Sequence, residues 1–164
     1  MKRLSFLLLV SSLTLFLSCE KDNVESIDET VNEYYSNNKK ITLINPVMRP
    51  SAKGMNSAIY LSVRNNTSSI DTLYGVETDV AELVEIHETF RVNKDKMGMR
   101  HVNQVEIQPD TKFELRPGSY HIMLIDLYED AILGKKVNAK LLFKNAGEIK
   151  FTAEVKDLLN IYNK

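Results

Sequence analysis

The chain has 164 residues, enough for one ordinary domain with its own core. Its 43% hydrophobic and 26% charged residues are those of a soluble globular protein. A net charge of only −1 gives no electrostatic footprint for nucleic acid.

The N-terminus departs from this average. Lys2 and Arg3 precede an almost wholly apolar run from Leu4 to Leu17. A membrane-spanning helix needs about 20 apolar residues. The shorter run fits the apolar core of a secretory signal peptide. It ends in Phe16-Leu17-Ser18-Cys19, which resembles the lipobox of bacterial lipoproteins, with Phe16 in place of the usual Leu. That resemblance implies a signal peptide over 1–18 and lipidation at Cys19. Cys19 is the only cysteine, so an internal disulfide and a cysteine metal cluster are both excluded. Loss of Lys2 and Arg3 with the peptide leaves the remainder at −3.

Residues 19–38 are polar and acidic and read as a tether. Ser26 and Glu29 have capping-box spacing, which predicts a short helix over 27–35. From residue 39 to 164 the pattern is that of a β domain. Ile59, Leu61 and Val63 alternate with Tyr60, Ser62 and Arg64. Val137, Ala139, Leu141 and Phe143 form a second apolar stripe, and Ile149, Phe151, Ala153 and Val155 a third. Alternation of this kind puts one side of each strand on a core and the other in water. Turn signals separate the runs at Asn65-Asn66, Arg116-Pro117-Gly118-Ser119 and Asn145-Ala146-Gly147. The last predicts a hairpin between 136–144 and 148–156. About eight or nine short strands are expected, in an all-β sandwich or barrel. The tail over 157–162 reads as a helical turn or a strand end.

Three segments carry donor side chains. His87 follows Val84-Glu85-Ile86. Met97-Gly98-Met99-Arg100-His101 packs two thioethers and an imidazole into five residues. Tyr120-His121-Ile122-Met123-Leu124 sets a histidine and a methionine two apart. Residues two apart on a strand share a face. His121 and Met123 therefore point away from Ile122 and Leu124, and His87 away from Val84 and Ile86. Met97, Met99 and His101 share a parity with Val105 and Ile107, so periodicity does not place these methionines outside the core. A thioether is a soft, neutral donor that with imidazole selects copper, Cu(I) above all. Zinc sites use Cys, His and carboxylates. Against a metal stands the common use of Met as core filler.

His87, eleven residues, Met99, twenty-one residues, then His121-x-Met123 resembles the signature of the periplasmic copper chaperone family PCu(A)C. The flanks are similar too: Leu83-Val84-Glu85-Ile86-His87-Glu88, Met97-Gly98-Met99-Arg100, and Leu115-Arg116-Pro117-Gly118-Ser119-Tyr120-His121-Ile122-Met123-Leu124. Upstream, Ala58-Ile59-Tyr60-Leu61 with Asn65 and Asp71 is similar to the family's early strands. The resemblance covers about residues 39–156. It implies a cupredoxin-like Greek-key β-sandwich or barrel holding one Cu(I) near its surface on His87, Met99, His121 and Met123. It implies delivery of copper to an acceptor such as the binuclear copper site of cytochrome c oxidase, or custody of periplasmic copper more generally.

The chain departs from the pattern in four places. Glu88 replaces a frequent Met, His101 a frequent Pro, and Pro46-Val47-Met48-Arg49 a tryptophan-containing stretch, while the lipid anchor replaces a free form. Glu88 is not counted as a ligand, although a carboxylate beside the site would attract a cation. Met48 and Met55 are read as packing residues. His101 is read as a spare imidazole or a surface residue.

No serine elbow, reactive cysteine or phosphate loop is present, so an enzyme is not expected. The alternatives are a copper storage or tolerance protein without a dedicated acceptor, and a non-metal β-sandwich lipoprotein for adhesion or assembly. The location expected is the cell envelope, on the periplasmic face or at the outer membrane, with the lipid as the membrane contact.

Overall fold

A computed structural model describes residues 31–36 and 40–159. The signal peptide, Cys19 and the Ser26–Glu29 capping box lie outside the described residues.

The domain is all-β, as the alternation requires. Its strands are β1 (Glu33–Tyr35), β2 (Ile41–Met48), β3 (Ser57–Asn65), β4 (Asp71–Glu77), β5 (Ala81–Asn93), β6 (Lys96–His101), β7 (Val105–Ile107), β8 (Lys112–Leu115), β9 (Tyr120–Leu127), β10 (Lys136–Phe143) and β11 (Gly147–Val155). The described residues form eleven strands, more than the eight or nine expected. The extra pieces are short: β1 and β7 have three residues each, too few for an alternation to register. Pairing runs β6-β5-β9-β8-β3-β2-β11-β10-β4-β7, with β1 beside β2 and an additional β9–β3 pairing. Most pairs are antiparallel; β11–β2 and β8–β9 are parallel. The sheet curls so that β4 also meets β5 and β7 meets β3.

The curl encloses one core. Ile59, Ile122, Leu124, Leu141 and Phe143 are among its fully buried side chains. Each comes from the apolar parity of its strand. The expected hairpin forms between β10 and β11. Gly147 supplies the left-handed backbone at its turn, φ 77°. Asp71, buried at the start of β4, clamps that turn. Its carboxylate accepts the amides of Thr72 at 2.7 Å and of Asn145 and Ala146 at 2.9 Å. Asn65 does the same for the β3–β4 loop. It donates to the Ser69 and Ile107 carbonyls and accepts from Thr67.

Three readings of the sequence change. Glu33–Tyr35 is a strand, not the end of a helix, and lies inside the stretch read as tether. Long-range contacts outweigh the local helical signal there. Tyr34 packs edge-on against Phe151 and donates its hydroxyl to the Thr152 carbonyl. Met48 is buried as expected, but Met55 is 60% exposed in the β2–β3 loop, outside the core. Tyr60, on the supposed water side of β3, is buried. It forms a second small cluster with Val47 and Ala58 on the outer face, and Leu158 from the C-terminal turn packs against it.

Candidate metal centre

The site is built on the outer face of β6-β5-β9, next to that second cluster. Register decides which side chains share the face. On β5, His87 is paired with His121 of β9 on one side and with His101 of β6 on the other. Glu85 is paired with Met123, and Thr89 with Met99. Met123 in turn faces Ala58 of β3. Directly paired residues point to the same side of a sheet, and so do residues two apart. Met97, Met99, His101, Glu85, His87, His121 and Met123 therefore lie on one face. Their neighbours Ile86, Ile122 and Leu124 are sealed in the core beneath.

The alternation of β5 and β9 thus holds. The ambiguity on β6 is resolved by a break. The strand ends at His101, and β7, carrying Val105 and Ile107, belongs to the opposite edge beside β4. The shared parity across the gap has no structural meaning. Met97 is 49% exposed and Met99 59%, so neither is core filler.

The two strand-borne imidazoles are brought together, their ring centroids 5.9 Å apart. Each has one nitrogen tied to a protein acceptor. His121 Nδ1 donates to the Ser119 carbonyl at 3.0 Å. The tight turn that supplies this carbonyl has Pro117 followed by Gly118 at φ 75°, and the Ser119 amide donates back to the Arg116 carbonyl. His87 Nε2 donates to the Glu85 carboxylate at 2.7 Å. A carbonyl and a carboxylate only accept, which assigns the tautomers. The free lone pairs are then Nε2 of His121 and Nδ1 of His87. Among the described residues, that Nδ1 is the buried side-chain nitrogen with no hydrogen-bond partner. An imidazole steered by an acceptor on one nitrogen, with the other left bare, is how metal-ligating histidines are prepared. Burial lowers the His121 imidazole below its ordinary range, against the opposing Ser119 hydrogen bond. This favours the neutral form that a metal requires.

The thioethers are placed unequally. Met123 is half-buried beside Glu85 and His121. Met99 is exposed, on a diagonal from His87. Glu88 faces the other side of the sheet, where its carboxylate accepts from Arg100 at 2.6 Å. The carboxylate on the site face is Glu85. Strand parity with His87 was the signal that distinguishes the two glutamates. Among the described residues, no three His, Cys, Asp or Glu side chains converge on a metal position. The soft donors that share this face are the thioethers of Met97, Met99 and Met123.

Residues 41–155 match a family model described as "Putative lipoprotein LpqE-like". The chain belongs to this LpqE-like family. A curated relative, "Putative lipoprotein Lxx21020" of Leifsonia xyli subsp. xyli (strain CTCB07), is 26% identical over 110 residues, 67% of this chain. The match spans 66% of that relative's length. Among solved structures, the copper-bound PCuAC domain from PmoF2 superposes with a TM-score of 0.63 at 24% identity, over 76% of this chain and 97% of its own. The solution structure of CuI-DR1885 from Deinococcus radiodurans gives 0.53 at 22% identity, over 72% of this chain and 80% of its own. This LpqE-like chain thus has the fold of PCuAC domains, the cupredoxin-like all-β architecture expected from its sequence.

Proposed function

We propose that this protein is a lipid-anchored, extracytoplasmic carrier of Cu(I), bound by His87, His121, Met123 and Met99. One observation carries the reading. Two adjacent imidazoles on one sheet face each have a nitrogen fixed by a protein acceptor and a lone pair left free. The PmoF2 neighbour is a copper-bound PCuAC domain and DR1885 was solved in its Cu(I) form, which supports the choice of metal. So does the presence of thioethers on the same face. The family's lipoprotein description supports lipidation at Cys19 and a cell-envelope location.

The ion is cargo in this reading. His121, buried and rigidly held, supplies the fixed donor, while Met99 at the exposed edge supplies the labile one. Release begins at Met99 and ends at His121 as an acceptor's ligands replace them. Cytochrome c oxidase, with its binuclear copper site, is the proposed acceptor.

Competition against a chromophoric Cu(I) chelator under reducing conditions tests the binding. The wild-type chain should withdraw copper. A variant with His87→Ala, Met99→Leu, His121→Ala and Met123→Leu should not, while keeping its circular dichroism spectrum. A wild-type chain that leaves the chelator loaded overturns the proposal. Delivery is tested by oxidase activity in a deletion strain at limiting copper. Loss that returns with added copper supports an acceptor. Normal activity with sensitivity to excess copper assigns storage instead.

A further inference from the structure

The four-residue reading leaves two soft donors on the site face unused, Met97 and His101. Both are on β6, at the open edge of the sheet. The β5–β6 register is unbroken from Met97 to His101, so Met97, Met99 and His101 form one stripe along that edge. The Val102 amide donates to the Ile86 carbonyl at 2.9 Å and pins the end of the stripe beside His87. The His101 ring lies 6.3 Å from that of His87, nearly as close as His121 on the other side. His101 is exposed, and among the described residues its ring nitrogens make no hydrogen bond. The opposite face of the same hairpin is fully employed: Arg100 binds Glu88 and sits over Phe90, whose ring end would lie 3.1 Å from a Cβ at Gly98. Met97 and Met99 stand about half out of the protein on this edge strand, where their sulfurs are open to an ion. As thioethers flanking a free imidazole, they have a chemical use.

We infer that Met97, Met99 and His101 form an outer Cu(I) station that captures the ion at the sheet edge and passes it inward to His87, His121 and Met123. The inference rests on the proposed copper reading and adds the entry route to it. Exposure falls along the row, from Met97 and Met99 through His87 to His121 at 5%. Met99 is common to both stations. Transfer is therefore ligand exchange around a retained donor. The bonds to Met97 Sδ and His101 break as those to His87 Nδ1, His121 Nε2 and Met123 Sδ form. All donors are neutral, copper stays Cu(I), and no proton or electron moves.

The test uses the full chain with Met97→Leu and His101→Asn together, both exposed positions, with folding checked by circular dichroism. Met99 is left in place. Cu(I) titration is followed through the methionine methyl signals in NMR, and uptake from a Cu(I)–chelator complex by stopped flow. Because Met99 serves both stations, the wild type should bind one equivalent, with Met99 and Met123 shifted most and Met97 and the His101 ring shifted partially by exchange between the stations. In the variant uptake should slow by about tenfold, while affinity stays within about threefold of wild type. Unshifted Met97 and His101 signals, or equal uptake rates in the two proteins, overturn the outer station and leave the inner site standing. A wild type that binds no Cu(I) removes both.

Discussion

Glu85 is the residue whose role is most sharply defined by the geometry. Its carboxylate accepts from His87 Nε2 at 2.7 Å and so directs Nδ1 at the site. Replacing it by Ala removes the acceptor without touching any proposed ligand. The imidazole is then free to rotate or to present the other nitrogen. Loss of an outer acceptor of this kind costs about 10- to 100-fold in metal affinity, or about 1.4–2.8 kcal/mol of binding free energy. The side chains are 14% and 24% exposed, so the pair is partly solvated and its loss should cost folding stability less than about 1 kcal/mol. Glu85→Gln keeps the volume and one acceptor oxygen and should fall between wild type and Ala. Affinity is read by competition with a Cu(I) chelator, and stability by urea unfolding of the copper-free protein. Nitrogen-15 labelling of the imidazoles reports the bound atom directly: Nδ1 at His87 and Nε2 at His121. An Ala variant within about threefold of wild-type affinity, or a copper-shifted Nε2 at His87, would refute the assignment.

Two further substitutions probe the scaffold. Asp71→Ala leaves the turn amides of Asn145 and Ala146 without their acceptor, so unfolding free energy should drop by about 3 kcal/mol in urea. Cu(I) affinity of the folded variant should be unchanged, because the clamp is on β4 and touches no part of the site; a matching loss of affinity would show that the clamp is coupled to it. Gly98→Ala places a Cβ 2.9 Å from Val92 Cγ2 and 3.1 Å from Phe90 Cζ. Alanine normally improves on glycine in a strand, but here the clash should reverse the sign and destabilise by about 1 kcal/mol. Adding Val92→Ala should restore much of the loss in thermal melts; a double variant no better than the single one would place the strain at Phe90.

Much of the fold was legible because burial on one side of a strand leaves a period-two signature. The stripes of β3, β9, β10 and β11 are all core stripes. What escaped were features that alternation does not encode. β1 is three residues long and is held by Tyr34 against a strand more than a hundred positions away. Tyr60 looked like a water-facing residue because its cover comes from Val47 and Leu158, which the local pattern around β3 does not contain. Met48 and Met55 are chemically identical, and only the fold separates the buried one from the exposed one.

The candidate site was legible in the face its residues share and not in their order. The signature resemblance nominated His87, Met99, His121 and Met123, and parity turned His87, His121 and Met123 outward, the side on which the register places them. Parity could also have chosen Glu85 over Glu88 as the carboxylate of that face, since only Glu85 is an even step from His87. It could not rank the donors of β6. That ranking depends on where β5 and β6 enter register, and the register sets His101 directly beside His87, with Met99 two pairs farther along the ladder. The signature spacing and the sheet register thus favour different residues of one strand. Both preferences are met if the ion occupies more than one position along it, which is the physical ground for treating β6 as a route and not as the source of a single ligand.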